Sequence, residues 1–165
     1  MAKWRYLVGA IVAIAGAQLL QGGASRSLLS RASQIQEGQP VQTAVQLLGK
    51  PQQQVPIVRY VWQGQDFVYW DDFWVLPSGK RRHPNGALFA PVTPKPSKAY
   101  SDFVKRLLDL PQHASFEEVV QVLGRPTRQV ATNLEEYWWR SGREVVILQV
   151  RRDGTVGYIT YYETQ

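Results

Sequence analysis

The segment from Ser115 to Tyr162 carries the signals of a capped helix followed by three strands. Ser115 and Glu118 have the spacing of a capping box, in which each side chain accepts a hydrogen bond from a backbone N–H at the start of a helix. Apolar residues at helical spacing follow, and Gly124 and Pro126 predict that the helix ends there. Alternating apolar residues then predict strands.

The same pattern occurs earlier in the chain. An offset of 75 residues places residues 41–51, VQTAVQLLGKP, on residues 116–126, FEEVVQVLGRP. The same offset places Ser78-Gly79 on Asp153-Gly154, a strong hairpin signal. One offset that aligns two helices and a turn predicts a tandem duplication in which each copy is helix–helix–strands.

The predicted fold class is α+β, with two tandem helix–helix–antiparallel-sheet repeats behind an N-terminal transmembrane or signal helix. The expected divisions are a transmembrane anchor or signal segment at 1–25, a first repeat at 26–90, a proline-rich linker at 91–98 and a second repeat at 99–165. In the first repeat, the basic segment 80–86 is expected to replace a clean third strand. Each helix pair is expected to cover one face of its own sheet, which leaves the other face to a partner.

Composition limits the possible functions. The chain has 165 residues, of which 44% are apolar, so it can form a hydrophobic core. It has no cysteine, which excludes a disulfide framework, a thiolate metal site and a cysteine nucleophile. The formal net charge of +6 suits anionic partners such as nucleic acid or lipid head groups. The charges are scattered, however, and we therefore favour a solvated basic surface over an anionic partner.

The N-terminal segment is long enough to cross a membrane. Residues 6–25 carry no charge and follow Lys3 and Arg5, and about 20 such residues span a bilayer core. One interpretation is a signal peptide cleaved before Gln18. The other, which we favour, is an uncleaved anchor at residues 4–24, because apolar residues resume beyond that cleavage point. Both interpretations predict that the folded domain lies outside the cytoplasm, on the periplasmic or lumenal side. The anchor further predicts a bacterial envelope protein that crosses the inner or thylakoid membrane once.

The helix-ending motif and the aromatic strands resemble the SmpA/OmlA (BamE-like) family of small outer-membrane assembly proteins. In that family a helical pair precedes a three-stranded antiparallel sheet, with the pattern V…LG-P…Y.W…dG.V. The matching residues are Val45, Leu48, Gly49, Pro51, Tyr60 and Trp62 in the first copy and Val120, Leu123, Gly124, Pro126, Tyr137, Trp139, Gly154 and Val156 in the second. The duplicated layout is also similar to that of the secreted β-lactamase inhibitor protein. The resemblance covers residues 26–165 and implies this fold and an extracytoplasmic setting. The lipidated cysteine of the assembly proteins has no counterpart here.

The sequence predicts no catalytic residue, no metal site and no cofactor. We interpret His83 and His113 as surface residues, because no spacing suggests that they converge on a carboxylate. Asp71-Asp72 interrupts an aromatic strand, and adjacent strand residues point to opposite faces, so at most one of them faces any pocket. A carboxylate pair for glycoside hydrolysis would need a partner such as Asp66 or Glu144.

The remaining acidic pairs are also interpreted as structural. Glu117-Glu118 lies in the first turn of a helix, where a negative charge is favourable. Glu135-Glu136 reads as solvated charge at the start of a strand. Because no phosphate loop, nucleophile elbow or zinc-binding helix motif is present either, we expect that the protein is not an enzyme.

The functional expectation is a membrane-anchored interaction protein, an accessory subunit or assembly factor of a membrane protein complex. Tyrosine and tryptophan are enriched at protein interfaces. The partner-binding candidates are therefore the strand aromatics Tyr60, Trp62, Tyr69, Trp74, Tyr137, Trp139, Tyr158 and Tyr161, with a basic patch of Lys80, Arg81 and Arg82. The alternatives are a secreted protein that binds or inhibits an enzyme and, less favoured, a basic nucleic-acid-binding protein.

Overall fold

The computed structural model describes residues 26–90 and 95–165, apart from the side chain of Pro84, and within them the chain forms four helices and one antiparallel sheet. The helices are α1 (Leu28–Ala32), α2 (Val41–Leu48), α3 (Lys98–Leu108) and α4 (Phe116–Leu123). The strands are β1 (Gln53–Gln63), β2 (Val68–Leu76), β3 (Gly79–Phe89), β4 (Arg128–Ser141), β5 (Glu144–Val150) and β6 (Val156–Glu163). Their order in the sheet is β3-β2-β1-β4-β5-β6.

The sheet is continuous across the two halves of the chain. β1 and β4 pair antiparallel, from Gln53↔Trp138 to Val61↔Arg128, and this pairing joins the two sets of three strands into one six-stranded sheet. The predicted fold class of two tandem helix–helix–sheet repeats, each with its own sheet, is therefore wrong. The physical reason is that an unpaired strand edge is exposed backbone, and pairing β1 with β4 covers one edge of each half.

Each helix pair packs against strands of the other half. One core cluster joins α1 and α2 to β4, β5 and β6, through Leu28, Ala32, Ile35, Val41, Ala44, Leu48, Trp139, Val146, Leu148, Val150 and Val156. The other joins α3 and α4 to β1 and β2, through Val58, Tyr60, Trp62, Phe67, Tyr69, Phe73, Phe103, Leu110, Ala114, Val119 and Leu123. The expectation that each helix pair covers its own strands is also wrong.

Two matched hydrogen bonds fix this crossed arrangement. α2 ends at Gly49 and α4 at Gly124, with φ of +89° and +86°, backbone angles that glycine adopts readily. Trp139 of β4 donates its indole N–H to the Gly49 carbonyl oxygen at 2.9 Å, and Trp62 of β1 donates to that of Gly124 at 2.9 Å. The predicted helix ends are confirmed, as is the capping box of Ser115 and its N3 glutamate.

The basic segment after the β2 hairpin forms a strand. β3 pairs with β2 from Leu76↔Gly79 to Val68↔Phe89, with an irregular register between Trp70 and Asp72. The expectation that residues 80–86 replace a clean third strand is therefore wrong. Charged residues are common on edge strands, because they discourage pairing with another chain.

The predicted membrane segment precedes the first residue that the structure describes. No helix within residues 26–90 and 95–165 has both the length and the apolar character of a membrane span. The predicted anchor at 4–24 and the predicted signal peptide both lie outside the described residues, as do residues 91–94 of the predicted linker.

The crossed packing predicts a specific pattern of energetic coupling. Leu28→Ala in α1 and Leu148→Ala in β5 each remove a buried side chain from the same cluster, and each should lower the free energy of unfolding by about 2–4 kcal/mol. Together they should depart from additivity by about 0.5 kcal/mol or more. The matched control combines Leu28→Ala with Leu123→Ala of the other cluster, which should be additive. Urea denaturation followed by tryptophan fluorescence measures the free energy of unfolding of each variant. If Leu28→Ala were additive with Leu148→Ala and not additive with Leu123→Ala, the helices would not be crossed.

Candidate functional site: a buried carboxylate, an open groove and an edge strand

The face of the sheet opposite the helices is centred on the fully buried carboxylate of Glu136. Its Oε2 accepts the indole N–H of Trp74 at 2.7 Å and that of Trp138 at 2.9 Å. Its Oε1 accepts the hydroxyl of Tyr158 and lies 2.8 Å from Nε2 of His83. We call these five residues the Glu136 cluster. Its members come from β2, β3, β4 and β6.

The Glu136 cluster brings together the two strands at the ends of the sheet. β3 and β6 have four strands between them, yet Nε2 of His83 lies 2.8 Å from the hydroxyl oxygen of Tyr158. In a flat sheet, five strand spacings would separate β3 from β6 by about 24 Å. The sheet is therefore strongly curved, with the Glu136 cluster on its concave face.

The hydrogen bonds determine the ionisation of the cluster. Burial alone would raise the pKa of Glu136, but hydrogen bonding and electrostatic attraction to His83, with hydrogen bonds from Tyr158 and Trp138, hold it below its usual range. Burial, and then the charge of Glu136, raise the pKa of the Tyr158 hydroxyl. The carboxylate is therefore an anion that faces protonated donors.

His83 has one nitrogen on the carboxylate and one that the fold leaves unused. Nε2 faces the carboxylate of Glu136, which only accepts hydrogen bonds, so Nε2 carries the hydrogen that it donates. Nδ1 is buried and has no hydrogen-bond partner within the described part of the chain. A histidine oriented by a carboxylate resembles half of a general-base arrangement, but a base must reach the proton that it removes. Because Nδ1 is enclosed, the geometry supports a structural role for His83, which joins β3 to Glu136 of β4.

The structure corrects two interpretations of single residues. His83 is expected at the surface, but its side chain is only 13% exposed. His113 is partly exposed, and its ring stacks on Trp74 with centroids 5.4 Å apart. Glu136 was expected to be solvated, and it is buried. The available signal was alternation, because Glu136 and Trp138 lie two residues apart and therefore share a face of β4.

The two adjacent carboxylates of β2 lie on opposite faces, as strand geometry predicts. Asp71 is fully buried and accepts the Tyr69 hydroxyl and the Nε of Arg82, each at 2.5 Å. Asp72 accepts two hydrogen bonds from Arg59, at 2.7 and 3.0 Å. Burial raises the pKa of Asp71, although the bonds from Tyr69 and Arg82 act in the opposite direction. Both carboxylates therefore accept hydrogen bonds from other side chains of this chain.

The predicted basic patch is divided between the two faces of β3. Lys80 donates to the Tyr60 hydroxyl at 2.6 Å, and Arg82 is bound to Asp71, so both face the helices. Arg81 points the other way and reaches the carbonyl oxygen of His113 at 3.3 Å. These three side chains do not form one contiguous basic surface.

The predicted aromatic residues occupy three kinds of position. Four are buried in the core beneath the helices: Tyr60, Trp62, Tyr69 and Trp139. Trp74 and Tyr158 bind Glu136. Tyr137 is half-buried, and Tyr161 on the last strand is 49% exposed.

An open groove with a volume of about 500 Å³ lies beside the middle of β4 and the C-terminal end of β5. It is lined by Val41, Gln42, Pro56, Asn133, Leu134, Glu135, Tyr137, Val150, Arg151, Arg152 and Gly154. A second open depression, of about 440 Å³, adjoins it at Arg151, Arg152 and Asp153. We call the two together the Arg152 groove. Apart from Tyr137, sequence reasoning did not find it, because its lining comes from four separate segments.

A β-bulge shapes the Arg152 groove. The register of β1 with β4 shifts between Ile57 and Val58. Opposite this shift, Asn133 has a φ of +53°, which asparagine tolerates better than most residues. Thr132 fixes the bulge by donating its hydroxyl to the Ile57 carbonyl oxygen at 2.6 Å and accepting the Leu134 N–H at 3.1 Å. Bulges of this kind redirect side chains next to binding sites.

Comparison with known proteins adds no relative. No family model, curated protein or solved structure matches this chain. The SmpA/OmlA resemblance therefore stays a prediction from short motifs. Within residues 26–90 and 95–165, no group of three or more histidines and carboxylates is placed to hold a metal ion.

The Glu136 cluster predicts a large effect of a small substitution. Glu136→Gln keeps the size of the side chain but puts an NH₂ group where a carboxylate oxygen accepted two donors. We expect the free energy of unfolding at pH 7 to fall by about 3 kcal/mol, because buried donors are left without an acceptor. Glu135→Gln, one residue earlier and only partly buried, is the matched control. Equal stability of the two variants would show that the cluster does not hold the sheet together.

The same variant predicts a dependence on pH. The pKa of Glu136 is lower in the folded protein than in the unfolded chain, where it is about 4.3. Its stabilising contribution is therefore complete above that value and is lost as pH falls through the folded pKa. The stability difference between the native protein and Glu136→Gln should be largest near pH 7 and shrink below about pH 4. Denaturation across pH 3–7 tests this, and a difference that grows in acid would contradict it.

Proposed function

We propose that this chain is a non-catalytic interaction protein, an accessory subunit or assembly factor of a membrane protein complex. In this proposal its N-terminal segment anchors it, and the folded domain lies on the extracytoplasmic side. The observation that carries the proposal is the Arg152 groove, an open surface lined by a tyrosine, two arginines, apolar side chains and the polar side chains of Gln42, Asn133 and Glu135. Tyrosine and arginine are enriched at protein interfaces relative to the rest of a protein surface.

The shape of the groove favours a protein segment over a small molecule. Small-molecule sites are usually enclosed and bury most of their ligand, whereas the Arg152 groove is open. The carboxylates buried in the sheet, Asp71, Asp72 and Glu136, already bind partners within the fold. The groove itself offers Glu135 beside two arginines, a combination that suits recognition of charge.

The charges at the groove favour an acidic partner segment. Arg151 is paired with Glu37, but Arg152 is exposed and has no hydrogen bond or ion pair to any described side chain. α2 begins at Val41 on the same groove, with no side-chain cap and no acidic residue in its first turn. The positive end of that helix and Arg152 would both attract a carboxylate of the partner.

The N-terminal sequence favours a subunit of a membrane complex over a secreted inhibitor. Both functions would use the Arg152 groove. They differ in whether the apolar segment is retained, which an intact-mass measurement of the native protein decides. Retention of Met1 supports the anchored subunit, and a mature protein that begins near Gln18 supports the secreted binder.

Charge reversal tests the groove directly. Arg152→Glu should reduce recovery of the full chain in its detergent-extracted complex by about tenfold or more, because a desolvated charge contact is replaced by repulsion. Arg125→Glu, at an exposed position in the loop after α4, carries the same charge change and should have no effect. Sedimentation of each extracted variant measures the complex. A complex that survives Arg152→Glu, or a native chain that sediments as a monomer, would overturn the proposal.

A further inference from the structure

The two halves of the chain make the same backbone contacts between strand and loop. Val156 donates its backbone N–H to the Gln39 carbonyl oxygen at 2.8 Å, and Arg82 donates to that of Ala114 at 2.8 Å. Each contact joins a strand at one edge of the sheet to the loop before a helix, α2 in one half and α4 in the other. Because the tryptophan bonds at the ends of these helices also match, positions in one half can be compared with positions in the other.

Tyr137 in the Arg152 groove and Tyr60 in the other half occupy matching positions. Each lies two residues before the tryptophan that bonds to the end of a helix, Trp139 in β4 and Trp62 in β1. Each tyrosine ring lies beside that tryptophan ring, with centroids 6.1 Å apart in β4 and 6.5 Å apart in β1. Their exposure differs: Tyr60 is buried, whereas Tyr137 is half-buried and lines the groove.

Aromatic rings fill the counterpart of the groove around Tyr60. The ring of Phe116, the first residue of α4, has its centroid 4.5 Å from that of Tyr60. The ring of Phe73 meets Tyr60 edge-on, with centroids 5.4 Å apart. Lys80 places its Nζ 2.6 Å from the Tyr60 hydroxyl oxygen and 5.2 Å from the centroid of the Phe116 ring. These side chains cover Tyr60.

Smaller side chains occupy the matching positions in the groove. Val41 is the first residue of α2, as Phe116 is of α4. Val150 on β5 matches Phe73 on β2, because each lies two residues after the residue that pairs with the tyrosine. The groove therefore lacks the two phenyl rings that fill its counterpart, and the space beside Tyr137 is open.

The carboxylates of the groove are engaged locally, whereas Arg152 is not. Burial, and then the charge and hydrogen bond of Glu135, raise the pKa of the Tyr137 hydroxyl, which places this carboxylate on the tyrosine. Asp153 accepts the backbone N–H and the hydroxyl of Thr155, at 3.0 and 2.6 Å. Arg152 is exposed and has no hydrogen bond or ion pair to any described side chain, so its charge is left for a partner.

We propose that the Arg152 groove binds a protein segment through an aromatic side chain that stacks on Tyr137, next to a carboxylate that pairs with Arg152. The bound ring lies between Val41 and Val150, in the place that the first residue of α4 takes in the other half. Stacked aromatic pairs and buried aromatic side chains supply much of the binding energy at protein interfaces. This aromatic contact rests on the proposed function, since both require that the groove binds a protein segment.

A short peptide tests the chemistry of the groove in the full-length, detergent-solubilised chain. A capped Glu-Phe-Glu tripeptide should shift the methyl resonances of Val41 and Val150 upfield, because the ring current of the bound phenyl group acts on both. Capped Glu-Ala-Glu and Lys-Phe-Lys should each bind about tenfold more weakly, because each lacks one of the two contacts. A ¹H–¹³C methyl spectrum measures the binding. No shift with Glu-Phe-Glu, or equal binding of either control peptide, would overturn the proposal.

The other half of the molecule supplies the variant that closes the groove. Val41→Phe copies the first residue of α4, so its ring should cover Tyr137 and abolish the shift of Val150 by the peptide. Gln46→Phe adds the same ring at an exposed position of α2 and should bind the peptide as the native chain does. Tyr137→Leu adds no volume, removes the stacking surface and should weaken binding by about tenfold. Native affinity in both Val41→Phe and Tyr137→Leu would contradict the aromatic contact.

Recovery of the detergent-extracted complex separates the aromatic contact from the proposed function. Arg152→Glu and Val41→Phe should each reduce recovery by about tenfold or more, and Gln46→Phe should not. A complex that is lost in Arg152→Glu but survives Val41→Phe would overturn the aromatic contact and leave the proposed function in place. A complex that survives both variants would overturn both.

Discussion

The architecture depends on one buried anion. Glu136 sits at the centre of the concave face, and every donor that it needs comes from a side chain of the sheet itself. Removing a carboxylate from water costs several kcal/mol, so it is tolerated only when hydrogen bonds replace the lost hydration. Satisfying Glu136 requires donors from β2, β3 and β6 to converge on β4, and this convergence fixes the curvature of the sheet. A flatter sheet would leave the carboxylate without partners.

The curvature determines which surfaces remain for a function. Because Trp74, Trp138, Tyr158 and His83 fill the middle of the concave face, that face does not offer the broad aromatic platform that the sequence suggests. The Arg152 groove, shaped by the bulge at Asn133, lies at the periphery and remains accessible. The position of Glu136 in the interior is thus connected to the location of the candidate binding surface.

Local signals in the sequence predicted local structure well. The capping box at Ser115, the helix ends at Gly49 and Gly124 and the turn at Asp153-Gly154 depend only on neighbours in the chain, and the structure contains them. The pairing of β1 with β4 and the crossing of the helices were missed, because periodicity reports which face of an element is apolar and not which element covers it. Glu136 was missed for the same reason. Most of its hydrogen-bond donors lie far away in the sequence, and without knowledge of them a carboxylate is predicted to be solvated.

The most direct test of this account is a ¹H–¹⁵N spectrum of the tryptophan indoles in the native protein and in Glu136→Gln. Trp74 and Trp138 donate to the same carboxylate, whereas Trp62 and Trp139 donate to the backbone carbonyls of Gly124 and Gly49. The account predicts that the Trp74 and Trp138 resonances shift together and exchange faster in the variant, while those of Trp62 and Trp139 stay in place. Unchanged Trp74 and Trp138 resonances, or equal shifts of all four, would contradict it.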